Sequence, residues 1–514
     1  MFARAAVALV LVAAAIPLAT AAEPSPRSAP DRRASIPLRG RLSPAELRQE
    51  KLAARRRAPA ARPAARAAVP VEELEFEALS GTIAPADPTG AAGPAHVLTA
   101  VNVHYALWDK ATGAQVLPTA ELESLFANLP PFVFDPKVVY DPYHDAYVLV
   151  FLAVNDATKV SRILIVSMPA ATVDDPTTWC RRNLDGDQVV GGARLWADYP
   201  AVGFDAKRLY VSTNQFTFPP FRFRYAQVLA MPKSRLFDCT KTPGIRVFAQ
   251  EQTRDPQGFK GFTIQPAVTI SDGAPSTEFL LSFQDVDCGG TCGNRVVVWR
   301  IKTSGGKLKL TKRSVKVGKQ RLAPYGTQEG GSTTCAGSAD TCWDTGDLRL
   351  IGAFYDADRQ MLLAGHAVRR DVATGDGYIE SVIRWYDVDP SPFKAPSLDR
   401  KGVIGASQRD AGWPMPATDG QGTAFFTYSR AGAPGAGEFL SAYVATVPPG
   451  STAAQVALLR SGEATYDAIP GPDRWGDFNG INRDPVDPAD VWTVNQVAVG
   501  TFAWRQVVNR VSDV

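Results

Sequence analysis

From Val71 onward, apolar runs of strand length recur in pairs, and each pair is split by Asp, Asn, Gly or Pro. Such runs bounded by turn formers read as strands, and two joined by a short turn read as a hairpin. Seven hairpins follow one another, opening near Asp87, Asp135, Trp196, Gln265, Asp347, Trp413 and Trp475. Two of them match closely. Trp196, Asp198 and Tyr199 lead to a strand, an Asp turn, a second strand and Asn214-Gln215; Trp475, Asp477 and Phe478 lead likewise to Asn495-Gln496. Most hairpins precede two more strand-like stretches, such as 162–168 and 179–183, 295–301 and 308–317, or 439–447 and 455–460.

Four strands per unit and seven units predict an all-β chain folded as a seven-bladed β-propeller, with six or eight blades as the alternatives. The seventh unit has only 502–511 after its hairpin. The stretch 71–79 is expected to supply its outer strand and so close the ring without an open edge.

The part before residue 71 reads differently. Arg4, the apolar run 5–19 and Ala19-Thr20-Ala21 form the pattern of a secretory signal peptide over 1–22. Residues 23–70 are rich in Ala, Pro and Arg, too poor in apolar surface to fold, and predict a disordered spacer or a pro-segment. Within them, Ser43 to Glu46 form a capping box for a short helix, and Arg55-Arg56-Arg57 is the candidate processing site. The expected address is secreted, in the periplasm or outside the cell. The propeller is assigned to 71–514, with no membrane span and a monomeric state.

Composition changes this picture in one respect. The chain of 514 residues is 45% hydrophobic and 21% charged, with a formal charge of +3. Residues 23–70 hold a surplus of eight positive charges, and without them and Arg4 the remainder carries six net negative charges. A mildly acidic folded part argues against a nucleic-acid partner.

Laying the hairpins over one another brings polar groups to one mouth of the ring. Strand starts contribute Asp87, Asp135, Asp198, Gln265, Asp347 and Asp477. Strand ends contribute Asn102, Asn155, Asn214, Gln215, Gln284, His366, Asn495 and Gln496. Oxygen ligands converging on an axis suit a polar ligand, with Ca²⁺ as the one cofactor to consider; otherwise these groups cap turns and bind water. Arg222 and Arg224, set among Phe218, Phe221, Phe223 and Tyr225, offer stacking and carboxylate clamping, or the rings pack on a neighbouring blade. Trp196, Trp343, Trp413 and Trp475 are either an aromatic rim or wedges between blades. The Gly-rich stretch 317–346 is a lid or inert surface.

The six cysteines fit an oxidising compartment. Proximity favours Cys288 with Cys292, Cys335 with Cys342, and Cys180 with Cys239. A zinc site of Cys288, Cys292, Cys335 and Cys342 is the alternative.

The residues Asp347 to Tyr355, Arg384-Trp385-Tyr386 and Arg474 to Phe478 resemble a group of secreted bacterial propeller proteins of unassigned activity, loosely sialidase-like. The resemblance implies a secreted propeller and little chemistry. The sialidase Arg-Ile-Pro signature and Ser-x-Asp-x-Gly-x-x-Trp repeat are missing, as are G-x-S-x-G, H-E-x-x-H and phosphate-cradling loops. The first expectation is therefore a binder of an extracellular glycan or protein. The alternatives are a glycoside hydrolase acting through mouth carboxylates and a structural cell-envelope protein.

Overall fold

The computed structural model describes residues 69–219, 221–284, 293–333, 335, 340–371 and 379–513. The expected signal peptide, the spacer, the Arg55–Arg57 site, Cys288 and Cys292 lie outside them. Among the described residues no helix is long and apolar enough to cross a membrane.

The fold is an all-β propeller built from antiparallel four-stranded ladders. The first runs Thr89–Ala92, His96–Val101, His104–Asp109 and Gln115–Glu121. The second runs Phe132–Asp141, Ala146–Asn155, Val160–Pro169 and Cys180–Asp185. The third is Ala193–Phe204, Arg208–Thr217, Phe223–Pro232 and Arg246–Phe248. Gln265–Ile270, Glu278–Phe283, Arg295–Ser304 and Lys307–Lys316 make the fourth. Ala353–Asp356, Met361–Asp371, Ile379–Asp389 and Ser397–Ile404 make the fifth. The sixth is Arg409–Thr418, Ala424–Gly432, Ser441–Val447 and Gln455–Arg460.

The last ladder takes Gly480–Arg483, Val491–Gly500 and Ala503–Asp513, and its outer strand is Pro70–Gly81 from the other end of the chain. That pairing runs antiparallel from Pro70 opposite Asp513 to Gly81 opposite Trp504, as the sequence suggests. Innermost strands of successive ladders lie side by side, and the first also touches the last. Parallel bridges join the third, fourth and fifth ladders along these inner strands, with Phe204 opposite Val268 and Ala267 opposite Ala353. Gly203 permits that approach, because a Cβ there would sit 2.3 Å from the Ala267 carbonyl oxygen.

Burial explains the sequence pattern. A middle strand is covered on both faces by neighbouring ladders, so Ala146–Asn155 is buried almost throughout and reads as one apolar run. An outer strand is half exposed, and Gln455–Arg460 alternates accordingly.

Aspartates at the hairpin turns fasten the rim. One oxygen of each accepts local backbone N–H groups: Tyr143 on Asp141, Lys207 and Arg208 on Asp205, Arg359 on Asp356, Gly422 and Thr423 on Asp419, and Val486 on Asp484. The other oxygen often takes a cation from another ladder. Lys233 reaches Asp141 at 2.8 Å, Arg483 reaches Asp356 at 2.7 Å and Lys110 reaches Asp484 at 2.7 Å.

Two disulfides form as expected, Cys180–Cys239 and Cys335–Cys342. The second consumes two ligands of the four-cysteine zinc alternative, which is thereby excluded. The described parts of the stretch 317–346, residues 317–333 and 340–346, pack against the later ladders. Trp343 and Gly326 exchange backbone hydrogen bonds, Asp344 N–H donates to the Asp473 carbonyl, and Gln328 bonds both backbone groups of Tyr466.

Candidate functional site

Four innermost strands share one backbone feature, within the strand in three of them and just before it in the first. Asp87, Asp135, Tyr199 and Trp413 have φ of 51°, 53°, 52° and 58°, and each is followed by proline. The register slips at three of these places, between Phe134 and Lys137, Asp198 and Ala201, and Gly412 and Met415. Proline donates no ladder hydrogen bond, so it is tolerated at the open inner edge and at bulges. Bulges re-aim side chains, and two of them fall at Asp135 and at Asp198-Tyr199, where the cluster forms.

Asp87 is fully buried and accepts the Asn102 amide at 2.6 Å and the Asp477 backbone N–H at 2.6 Å. Asp135 accepts the Tyr199 N–H at 3.2 Å and gives its own N–H to the Asn102 Oδ1 at 2.8 Å. Arg474 holds Asp477 at 2.7 Å, while Arg349 clamps both oxygens of Asp347. Tyr199 crosses from the third ladder to the last, where its hydroxyl donates to the Asp477 carbonyl at 3.1 Å and its ring meets Phe478 at 5.9 Å. The centre therefore has a floor of packed rings at this level.

The charges are crowded. Burial, then repulsion from Asp198 and Asp477, pushes Asp135 up to about 8. Burial pushes Asp198 up to about 7 against the pull of Arg349. Asp87 is raised well above the usual range, by burial and then by Asp477 and Asp135. Asp344, beside Arg474, is raised by burial to about 6.

Lys137 is brought down to about 7 by burial, which outweighs the attraction of Asp135. Its ammonium lies 3.0 Å from the Phe478 ring centre and 5.5 Å from that of Tyr199, and it makes no hydrogen bond or ion pair with any described residue. A narrow contact with solvent remains: Asp135 is 9%, Lys137 7% and Asp198 6% exposed. Arg474 keeps one buried nitrogen, Nη1, without a partner among the described residues. Protonated carboxyls can donate, ionised ones accept, and Lys137 is an unspent donor.

The structure thus brings Asp135, Asp198 and Asp477 together with Asp87 and Asp347. Asn214 lies next to this group and clasps the adjacent ladder, accepting the Thr263 N–H at 2.8 Å. Gln215, Asn495 and Gln496 are buried in bonds within or between ladders; Asn495 donates to the Tyr428 carbonyl and Gln496 to that of Trp475. Trp475 is a wedge rather than a rim. It is 1% exposed, bonded to the Ser429 hydroxyl at 3.0 Å and edge-on to Tyr466. Trp196, Trp343 and Trp413 are buried as well.

His366 is fully buried between the Leu348 carbonyl at 2.9 Å and the Tyr386 hydroxyl at 3.0 Å, and burial lowers its pKa to about 4. Arg222 is exposed and Arg224 half-buried, and the aromatics around them belong largely to the core, with Phe223 packed edge-on against Phe262. Asn155 caps its own turn. Among the described residues no group of three or more His, Cys, Asp or Glu is placed to hold a metal ion.

Lys137, Tyr199, Asp344, Arg349 and Arg474 were not singled out as site residues by their sequence. Lys137 directly follows the Asp135-Pro136 bulge, and this is the one local signal that marks it.

No family model matches the chain, and no curated protein matches it either. Solved structures similar to it include a protein of unknown function from Dyadobacter fermentans, at 10% identity, 87% of this chain and 99% of that one, TM-score 0.39. A second is a Penicillium chrysogenum α-L-arabinanase complexed with arabinobiose, at 11% identity, 87% and 98% coverage, TM-score 0.35. A third is a Trypanosoma rangeli sialidase mutant displaying trans-sialidase activity, at 8% identity, 82% and 58% coverage, TM-score 0.34. Scores this low carry no argument about this chain's fold or chemistry, which rest on its own strand pairing and side chains.

Proposed function

We propose that this is a secreted protein whose ladders are the blades of a closed seven-bladed propeller, and that the centre of the ring binds a polar extracellular ligand of the glycan class. The observation that carries this reading is Lys137: a nearly buried ammonium with no hydrogen bond or ion pair to a described residue, set beside Asp135 and Asp198, whose carboxyls burial pushes toward the protonated form. A polyhydroxyl ligand uses such a mixture of donors and acceptors, while Arg349 and Arg474 keep their aspartates fixed as acceptors. The cyclic contact of innermost strands and the Pro70–Gly81 closure support the blade count.

One observation favours a second reading. A carboxyl held protonated near neutral pH is the state of a general acid, so Asp135 or Asp198 would serve a glycoside hydrolase.

A glycan array and a panel of fluorogenic glycosides, run with the full chain and with Lys137→Met, Asp135→Asn and Asp198→Asn, separate these readings. Binding is expected for the parent protein and lost in Lys137→Met. Turnover abolished by Asp198→Asn or Asp135→Asn marks the hydrolase. A parent protein that retains no glycan and turns over no glycoside leaves a structural cell-envelope role and ends the ligand reading.

A further inference from the structure

A feature far from the central cluster has no role in it. Between Arg295 and Lys319 the chain carries nine Lys or Arg and no Asp or Glu, although the whole protein is nearly balanced at 55 against 52. Most of this stretch is the outer hairpin of the fourth ladder, Arg295–Ser304 and Lys307–Lys316. None of the nine forms an ion pair with a described residue.

Register makes the crowding specific. Lys302 stands opposite Lys309, and Arg295 opposite Lys316. Like charges directly opposite each other destabilise a ladder. On the face that carries Lys302 and Lys309, alternation also places Lys307, Arg300 and Arg313. The guanidiniums of Arg300 and Arg313 share the Phe393 ring, at 3.8 Å and 5.6 Å from its centre. Lys302, Lys307, Lys309 and Arg313 are exposed.

We propose that this face of the hairpin is a docking strip for a linear anionic polysaccharide. From Lys307 to Arg313 the strip extends roughly 20 Å at the usual rise of a strand, which is longer than one phosphate or carboxylate needs and suits a repeating anion. Lysines on an outer strand also discourage pairing with other sheets. That role requires charge but neither opposed like charges nor two arginines on one ring. A nucleic acid fits less well, because the strip exposes no aromatic platform for bases.

The test is salt-dependent binding of a heparin-derived oligosaccharide to the full chain. The comparison variants are Lys302→Gln/Lys307→Gln/Lys309→Gln/Arg313→Gln and Arg55→Gln/Arg56→Gln/Arg57→Gln, the latter because the segment before the propeller is itself basic. The hairpin variant is expected to bind at least about tenfold more weakly at physiological salt, with a salt slope reduced by about three. Its melting temperature should be unchanged or raised, since opposed charges are removed. The Arg55–Arg57 variant should stay within about twofold of the parent. A parent protein that does not bind, a hairpin variant that binds like the parent, loss in the Arg55–Arg57 variant, or full competition by single-stranded DNA would each overturn the proposal.

Discussion

Lys233→Met is expected to be among the most destabilising single substitutions in this protein, at about 3–5 kcal/mol. Lys233 and Asp141 are both fully buried and meet at 2.8 Å. The ammonium also lies 4.6 Å from the centre of Phe204 and 5.2 Å from that of Tyr143. Removing it leaves the buried Asp141 with the Tyr143 N–H at 3.1 Å and the exposed His144 ring at 3.3 Å in place of a fixed cation, with Asp205 and the carboxyl of Glu278 close by and the latter already raised well above its usual pKa by burial and by Asp205. Because the damage is an uncompensated charge rather than a lost contact, Asp141→Asn in the Lys233→Met background should recover a substantial part of the loss. Urea unfolding of the parent, both single variants and the double variant measures this coupling. A loss under about 1 kcal/mol would mean the pair behaves as a surface bridge and does not fasten the second and third ladders.

Stability should depend on pH through the central cluster, with a sign fixed by the direction of each shift. The folded Asp135 titrates at about 8 and the unfolded one near 3.8. Between those values the native state holds a proton that the unfolded chain has released, so this group's contribution is complete below 3.8 and is lost as pH rises through 8. Asp198 adds the same trend up to about 7. Two groups oppose it. His366, lowered from 6.5 to about 4, favours the native state increasingly across that interval, and Lys137, lowered from 10.5 to about 7, does so above neutrality. The clean observable is therefore a difference. The advantage of the parent over Asp135→Asn should shrink steadily from pH 5 to about 8 and then level off. Parallel melting-temperature curves for the two proteins would show that Asp135 titrates normally.

Much of the architecture was readable because the chain repeats itself. Middle strands covered on both faces gave continuous apolar runs, turn aspartates punctuated the hairpins, and the short last unit pointed to 71–79 as its missing strand. The convergence of Asp87, Asp135, Asp198 and Asp477 was readable for the same reason, since equivalent positions in a repeat sit at equivalent places in a ring. The direction of a side chain at a bulge was not. Lys137 is two residues from Asp135, Arg349 two from Asp347 and Arg474 three from Asp477, yet nothing in spacing says that these cations turn inward. The tryptophans stood open between rim and wedge. Trp475 precedes its aspartate by two residues, but the indole packs between ladders and it is Tyr199 and Phe478 that occupy the centre. Loops were least legible: the segment 340–346 carries Asp344 into the cluster through pairing with Asp473, a contact with no local sequence signal.

Burial holds protons on Asp135 and Asp198 at the hub of the ring near neutral pH. Infrared spectra of protein isotopically labelled at aspartate carboxyls, titrated across the neutral range, report this directly. A protonated-carboxyl band should persist at about pH 6.5 and weaken in Asp135→Asn and Asp198→Asn. A band that has already vanished by about pH 5 as the pH is raised would place these aspartates in ordinary solvent and contradict the account.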